Sequence, residues 1–180
     1  MQITPTNLSG AVVIQPKVFS DARGYFFESY SKAVFFKNGI TDEFIQDNES
    51  LSQKGVLRGL HFQNMPHAQV KLVRVIQGSV LDVVVDIRKK SSTYGKYFSI
   101  VLSSANKTML YIPEGFAHGF LVLEDNTIFS YKCSRTYNKE SEDGILWCDA
   151  DLNIEWGIQN PLLSEKDRVA QAFKEFKSKF

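Results

Sequence analysis

The chain has 180 residues, 43% hydrophobic and 23% charged, with 21 Lys and Arg against 20 Asp and Glu for a formal charge of +1. A chain of this length buries roughly two-thirds of its unfolded surface, which suits one core over residues 1–180 better than two domains. The balanced charge argues against a nucleic-acid binder, which needs a basic face, and against adhesion to an anionic membrane. The opening MQITPTNLSG has no basic segment followed by an apolar stretch, so no signal peptide is expected, and no apolar run approaches the roughly 18 residues of a membrane span. Cys133 and Cys148 are too few for a disulfide framework and lack metal-finger spacing. A cytoplasmic location is the expectation.

In chain order, β-type runs cover residues 11–14 and 24–30, separated by the turn Asp21-Ala22-Arg23-Gly24. A helix follows from Ser31, a capping residue, to the stop at Gly39. Strand patterns resume over 55–63 and then over 68–88, AQVKLVRVIQGSVLDVVVDIR, where Gln77-Gly78-Ser79 reads as a hairpin. Further runs at 97–102, 109–112, 120–123 and 127–133 alternate with the turns 103–106, Pro113-Glu114-Gly115 and Glu124-Asp125-Asn126. A second helix is predicted over 164–179, because Ser164-Glu165-Lys166-Asp167 forms a capping-box pattern and Val169, Ala170, Phe173 and Phe176 follow at helical spacing. Many short strands without βα alternation indicate an all-β antiparallel sandwich or barrel with a few peripheral helices.

Three histidines are candidates for chemistry: His61 in VLRGLHFQ, His67 in MPHAQVK and His118 in PEGFAHGF. A lone strand histidine is as often a hydrogen-bonded core residue, and His67 reads as a loop residue. Lys71 shares a strand face with Val73 and Val75, which favours a rim position and leaves a polar barrel interior as the alternative. Phe129, Tyr131 and Cys133 share an apolar face, pointing Tyr131 inward as a structural tyrosine with a buried hydroxyl or as a general acid. A metal-binding cupin needs two closely spaced histidines and an acid. Here Phe62 and Gln63 follow His61 and the next carboxylate is Asp82, so no metal is expected. No phosphate loop or nucleophile elbow occurs.

PEGFAHGF resembles the second motif of the cupin superfamily. FSDARGYFFES, QDNESLSQKGVLRGLHFQ, QVKLVRVIQGSVLDVVVDIRKKSSTYGKY, YIPEGFAHGFLVL, YKCSRTYNKESEDGILW and SEKDR, in this order, resemble the dTDP-4-dehydrorhamnose 3,5-epimerase family over nearly the whole chain. The resemblance implies a cupin-type jelly roll, a homodimer and a cofactor-free epimerase. Its substrate would be a dTDP-4-keto-6-deoxy sugar inverted at C3 and C5. It implies His61 as base, Asp167 as its orienting acid, Lys71 at the enolate oxygen and Tyr131 as acid on the far face. Asp167 also has an ordinary reading as the capping-box acid. Arg23 and Arg58 would meet the diphosphate, although Arg23 also reads as a turn arginine. Tyr137 would stack on thymine, and Glu28, Gln46, Asn48, His118, Glu142 and Lys166 would be further substrate contacts.

Two features stand against a simple transfer. Arg58 and His61 have opposite parity on a regular strand, so a distortion is expected at Gly59. Family prolines are replaced at Lys139, Ala150, Gly157 and Gln171, changes expected to bear on the loops carrying Tyr137 and Glu142, and so on nucleotide selectivity, and not on the proton-transfer groups.

Overall fold

The computed structural model describes residues 1–180, which form two facing antiparallel sheets. One has the order β1 (Gln2–Pro5), β2 (Val12–Gln15), β10 (Met109–Ile112), β7 (Lys71–Gln77), β12 (Thr127–Cys133) and β5 (Gln46–Ser52). The other has the order β13 (Glu142–Gly144), β6 (Leu57–Gln63), β11 (Phe116–Val122), β8 (Ser79–Asp86) and β9 (Tyr97–Ser103). A detached hairpin pairs β3 (Phe19–Asp21) with β4 (Gly24–Phe26). This is the expected jelly-roll sandwich. No helix is long and apolar enough to cross a membrane.

Three apolar clusters hold the layers. Val73, Val75 and Phe129 of the six-stranded sheet meet Val80, Val84 and Phe120 of the five-stranded sheet between the layers. The helix α1 (Lys32–Lys37) places Phe35 with Ile14, Leu72 and Met109 on the outer face of the first sheet. The outer face of the second sheet packs Phe62, Val83 and Val85 with Trp156 and Phe176 from the C-terminal segment. Strands covered on both faces read as nearly continuous apolar runs, as VLDVVVD does in β8.

Several expected elements change. Gln77-Gly78-Ser79 is not a hairpin: β7 and β8 lie in different sheets, so this turn carries the chain across the sandwich. The helix expected to Lys179 is one turn, α2 (Glu165–Arg168), with Ser164 Oγ accepting from Asp167 N at 3.1 Å. Beyond it, Leu146 N donates to Gln171 O, and Phe176 meets Phe62 at 5.2 Å between ring centroids. The helix-like spacing of Val169, Phe173 and Phe176 therefore reflects burial of the two phenylalanines against a sheet; Val169 stays exposed. The run expected over 24–30 ends as strand at Phe26, and the one expected at Phe120 begins at Phe116. Strands β1, β3, β5 and β13 were not anticipated.

The distortion expected at Gly59 is present. The pairing of β11 with β6 is His118 to His61 but Phe120 to Arg58, a register shift across Gly59. Gly59 has φ +138°, and a Cβ there would stand 2.5 Å from Gly119 Cα. The two strands approach too closely for any side chain, and the irregularity lets Arg58 and His61 serve one cavity. Gly59→Ala should lower unfolding free energy by about 2 kcal/mol or more. An unchanged denaturant midpoint would show that the backbone here relaxes freely.

Candidate active site

The cavity opens between the sheets and holds about 420 Å³. Arg58, His61 and His118 come from the five-stranded sheet, Lys71 and Tyr131 from the six-stranded sheet, and Lys166 and Asp167 from α2. Phe120 and Phe129 form an apolar floor, their rings stacked at 4.1 Å. A smaller adjoining space of about 170 Å³ shares His61, Lys71 and Tyr131 and adds Gln46, Asn48, Gln63, Tyr137 and Glu142. Lys71 thus faces the interior, and the rim position that periodicity favoured is corrected. Tyr131 points inward as parity required.

Each cavity histidine is held by a carboxylate. His61 Nε2 lies 2.5 Å from Asp167 Oδ1, with the imidazole about 31% exposed and the carboxylate 5%. Burial alone raises the Asp167 carboxyl, but its hydrogen bond and attraction to His61, with Ser164 and Lys166 adding, hold it below the ordinary carboxylate value. Asp167 thus closes the turn through its backbone N–H, received by Ser164 Oγ, while its side chain lies against the imidazole and not back on the turn. His118 is buried, and its Nε2 lies 3.0 and 3.1 Å from the oxygens of Asp82. Burial pushes the Asp82 carboxyl up, opposed by His118 and Lys71.

Lys71 and Tyr131 are shifted by the same desolvation. Burial lowers the Lys71 ammonium, against the pull of Cys133, Asp82 and Glu142. Burial raises the Tyr131 phenol, with Cys133 and Glu142 adding and Arg58 opposing. Arg58 donates to Ser52 Oγ through Nε at 3.2 Å and Nη2 at 3.1 Å. Lys166 pairs with Glu142, whose other oxygen accepts from the Tyr137 hydroxyl at 2.8 Å. Gln46 Nε2 donates to Asn48 Oδ1 at 2.9 Å, and Asn48 Nδ2 lies 3.7 Å from Cys133 Sγ.

Two expected residues do not reach this cavity within one chain. Arg23 sits on the exposed β3–β4 hairpin, paired with Asp21 at 2.6 Å, and Glu28 lines a separate surface depression beside Phe35. His67 is a loop residue bonded to Ser141 Oγ at 2.8 Å. Asp82 and Gln63 were missed as site-supporting groups. Asp82 is recognisable only once β8 is known to lie beside β11. Gln63 had a signal in its shared parity with His61.

A family model described as dTDP-4-dehydrorhamnose 3,5-epimerase matches residues 5–175. The chain belongs to this epimerase family. It is 53% identical over 174 residues to the dTDP-4-dehydrorhamnose 3,5-epimerase of Shigella flexneri, covering 96% of each. The crystal structure of the corresponding Elizabethkingia anophelis NUHP1 enzyme matches with TM-score 0.92 at 48% identity, covering 97% of each chain. A dTDP-6-deoxy-D-glucose-3,5-epimerase from Legionella pneumophila Philadelphia 1, solved with dTDP-4-keto-L-rhamnose, matches with TM-score 0.94 at 44% identity, covering 98% of this chain and 94% of that one. In this family member both carboxylate-held histidines, with Asp167, line one cavity, and Asp82 lies buried behind His118.

The buried pair makes a stability prediction. His118→Phe leaves Asp82 without its hydrogen-bond partner and should cost about 3 kcal/mol near neutral pH. Because the buried carboxyl is already raised, the variant's Asp82 binds a proton more tightly folded than unfolded. The loss should therefore grow as pH rises above the unfolded carboxyl value and shrink as pH falls towards it. Denaturant titrations at several pH values check this, and a pH-independent loss would assign the cost to packing instead.

Proposed function

We propose that this chain inverts C3 and C5 of dTDP-4-dehydro-6-deoxy-D-glucose without a cofactor, giving dTDP-4-dehydro-L-rhamnose. The observation that carries the reading is the placement of His61 and Tyr131 on opposite sheets lining one cavity with Lys71. The C4 ketone acidifies the neighbouring C–H bonds. His61 takes a proton from one such carbon, the C–H electron pair moves into an enolate, and the Lys71 ammonium stabilises the negative oxygen. Tyr131 then gives its proton to the opposite face of that carbon, and the enolate collapses back to the ketone with inverted configuration. The imidazolium and phenolate left behind exchange protons with solvent before the second carbon reacts. The raised Tyr131 phenol suits a group that must arrive protonated. Asp167 keeps the imidazole oriented and stabilises its charged form.

Arg58 and Lys166 at the cavity mouth suit the diphosphate, and Tyr137 in the adjoining space suits the thymine. Gln46, Asn48, Glu142 and His118 supply further polar contacts around the sugar and nucleotide. A second copy of the chain completes the site. Arg23 and Glu28 lie away from their own cavity, and the hairpin that carries Arg23 leaves Phe19, Tyr25 and Phe26 exposed. A homodimer in which this hairpin reaches the neighbouring cavity gives these residues a use.

Proton NMR in heavy water tests the chemistry. Deuterium should enter at both C3 and C5 as the product forms, whereas label at one carbon would reduce the activity to a single-site epimerisation. His61→Asn should slow turnover by about 10²–10⁴. Tyr131→Phe should lower product more than it lowers solvent exchange, and equal losses would remove the phenol as far-face acid.

Complementation tests the shared site. Sedimentation should give twice the 20.5 kDa chain mass. Mixing Arg23→Ala with His61→Asn chains should restore activity, because one site of the mixed dimer then holds both native groups. A monomer, or a mixture no more active than its parts, would sink the dimeric reading.

A further inference from the structure

Tyr137 is 56% exposed and packs against no core cluster, so apart from its hydroxyl's bond to Glu142 its placement depends on the main chain around it. That main chain is held by one buried side chain. The Gln63 amide Nε2 donates to Thr136 O at 3.3 Å and to His67 O at 2.7 Å, while its Oε1 accepts from Asn138 N at 2.7 Å. Thr136 and Asn138 flank Tyr137. A primary carboxamide offers the same donor and acceptor as a peptide group, so Gln63 acts as a short additional rung that extends the sheet to the loop. Gln63 is only 4% exposed, its ladder partner on β13 is Glu142, and it lies two residues from His61 on the same strand. Gln46 Oε1 also accepts from Tyr137 N at 3.1 Å, and Gln69 Nε2 donates to Arg135 O at 2.8 Å, but both of these side chains are partly open to water.

We propose that Gln63 is a positioning residue that fixes the nucleobase-stacking loop relative to the strand bearing the base, and so sets where the sugar stands when the nucleotide is seated. This rests on the reading of Tyr137 as the thymine partner and His61 as the base. A thymine placed by Tyr137 and a proton placed by His61 are joined through the substrate, and the protein must match that span. Gln63 matches it with a single side chain, touching one element directly and lying within the other. Its three bonds are internal, so it needs no contact with substrate to act.

The test compares two substrates and two substitutions. Gln63→Met removes all three hydrogen bonds at similar volume. It should raise KM for the dTDP-linked keto sugar about 10-fold or more while kcat changes less than about 3-fold, since the lost bonds order the loop and not the proton transfer. On the same keto sugar diphosphate lacking the nucleoside, the variant and the unaltered chain should have equal kcat/KM within about twofold. An equal loss on both substrates would show a general structural role and overturn the proposal, as would an unchanged KM.

Gln63→Glu keeps the shape if the methionine chain does not fold. At neutral pH its carboxylate faces two carbonyl oxygens and KM should rise. On acidification the protonated carboxyl regains one donor and one acceptor, so the KM ratio to the unaltered chain should fall towards one. A ratio that does not move with pH would also overturn the proposal. Tyr137→Ala separates the two levels. If it raises KM while both Gln63 variants are silent, only the positioning role fails; if it too is silent, the thymine reading fails and this proposal with it.

Discussion

The contact between His61 and Asp167 joins two parts of the chain far apart in sequence, which also meet where Leu57 N donates to Leu162 O at 3.0 Å. His61 lies on an inner strand of the five-stranded sheet, and Asp167 lies in the single turn of α2 more than a hundred residues later. The C-terminal segment reaches that point by packing Trp156 and Phe176 on the outside of the same sheet. Apolar burial outside the sandwich thus sets the position of a carboxylate inside it. At 2.5 Å, with the acid almost fully enclosed, little water separates the partners, and their attraction is correspondingly strong. The imidazole stays partly open to the cavity.

The other ionisable groups of the cavity depend on one another in the same way. Lys71 loses hydration among protein atoms, which lowers its ammonium, and the nearby Asp82 and Glu142 oppose that shift. Asp82 in turn relies on His118 and Lys71 against its own burial. Removing one member leaves the next uncompensated, so the interior charges act as a set and not as independent contacts. The apolar floor of Phe120 and Phe129 strengthens every interaction above it by excluding water.

The parts of this arrangement visible in the sequence are those governed by local alternation or by turn chemistry. The strand over Thr127–Cys133 and the inward direction of Tyr131 follow from parity, and the irregularity at Gly59 follows once the family resemblance places Arg58 and His61 in one site. What escaped notice depends on long-range register or on polar burial. Strand β5, QDNESLS, has no inward apolar stripe because its half-buried side chains, Gln46, Asn48 and Ser50, line the cavity and its adjoining space, while Asp47, Glu49 and Leu51 alternate with them as exposed residues. The helix expected over 164–179 failed because aromatic spacing cannot distinguish a helix face from an irregular segment pressed on a sheet. The crossover at Gly78 looked like a hairpin because a tight turn specifies a reversal but not which sheet the next strand joins. Asp82 stayed hidden until strand neighbours were known.

The sandwich divides the chemical work by sheet. One layer presents the two imidazoles, and the other presents the ammonium and the phenol. Opposed faces are what an inversion needs, because removal and return of a proton on one side restores the starting configuration. A helical bundle or a loop cluster would have to hold such groups apart through side-chain reach. Here the separation is set by the apolar layer between the sheets, where Val73, Val75, Val80 and Val84 keep the two backbones at packing distance. The same layer explains how a chain of nearly neutral charge can receive an anionic substrate. Arg58 and Lys166 line the cavity where water still solvates them, while the fully buried Asp82 keeps His118 as its partner.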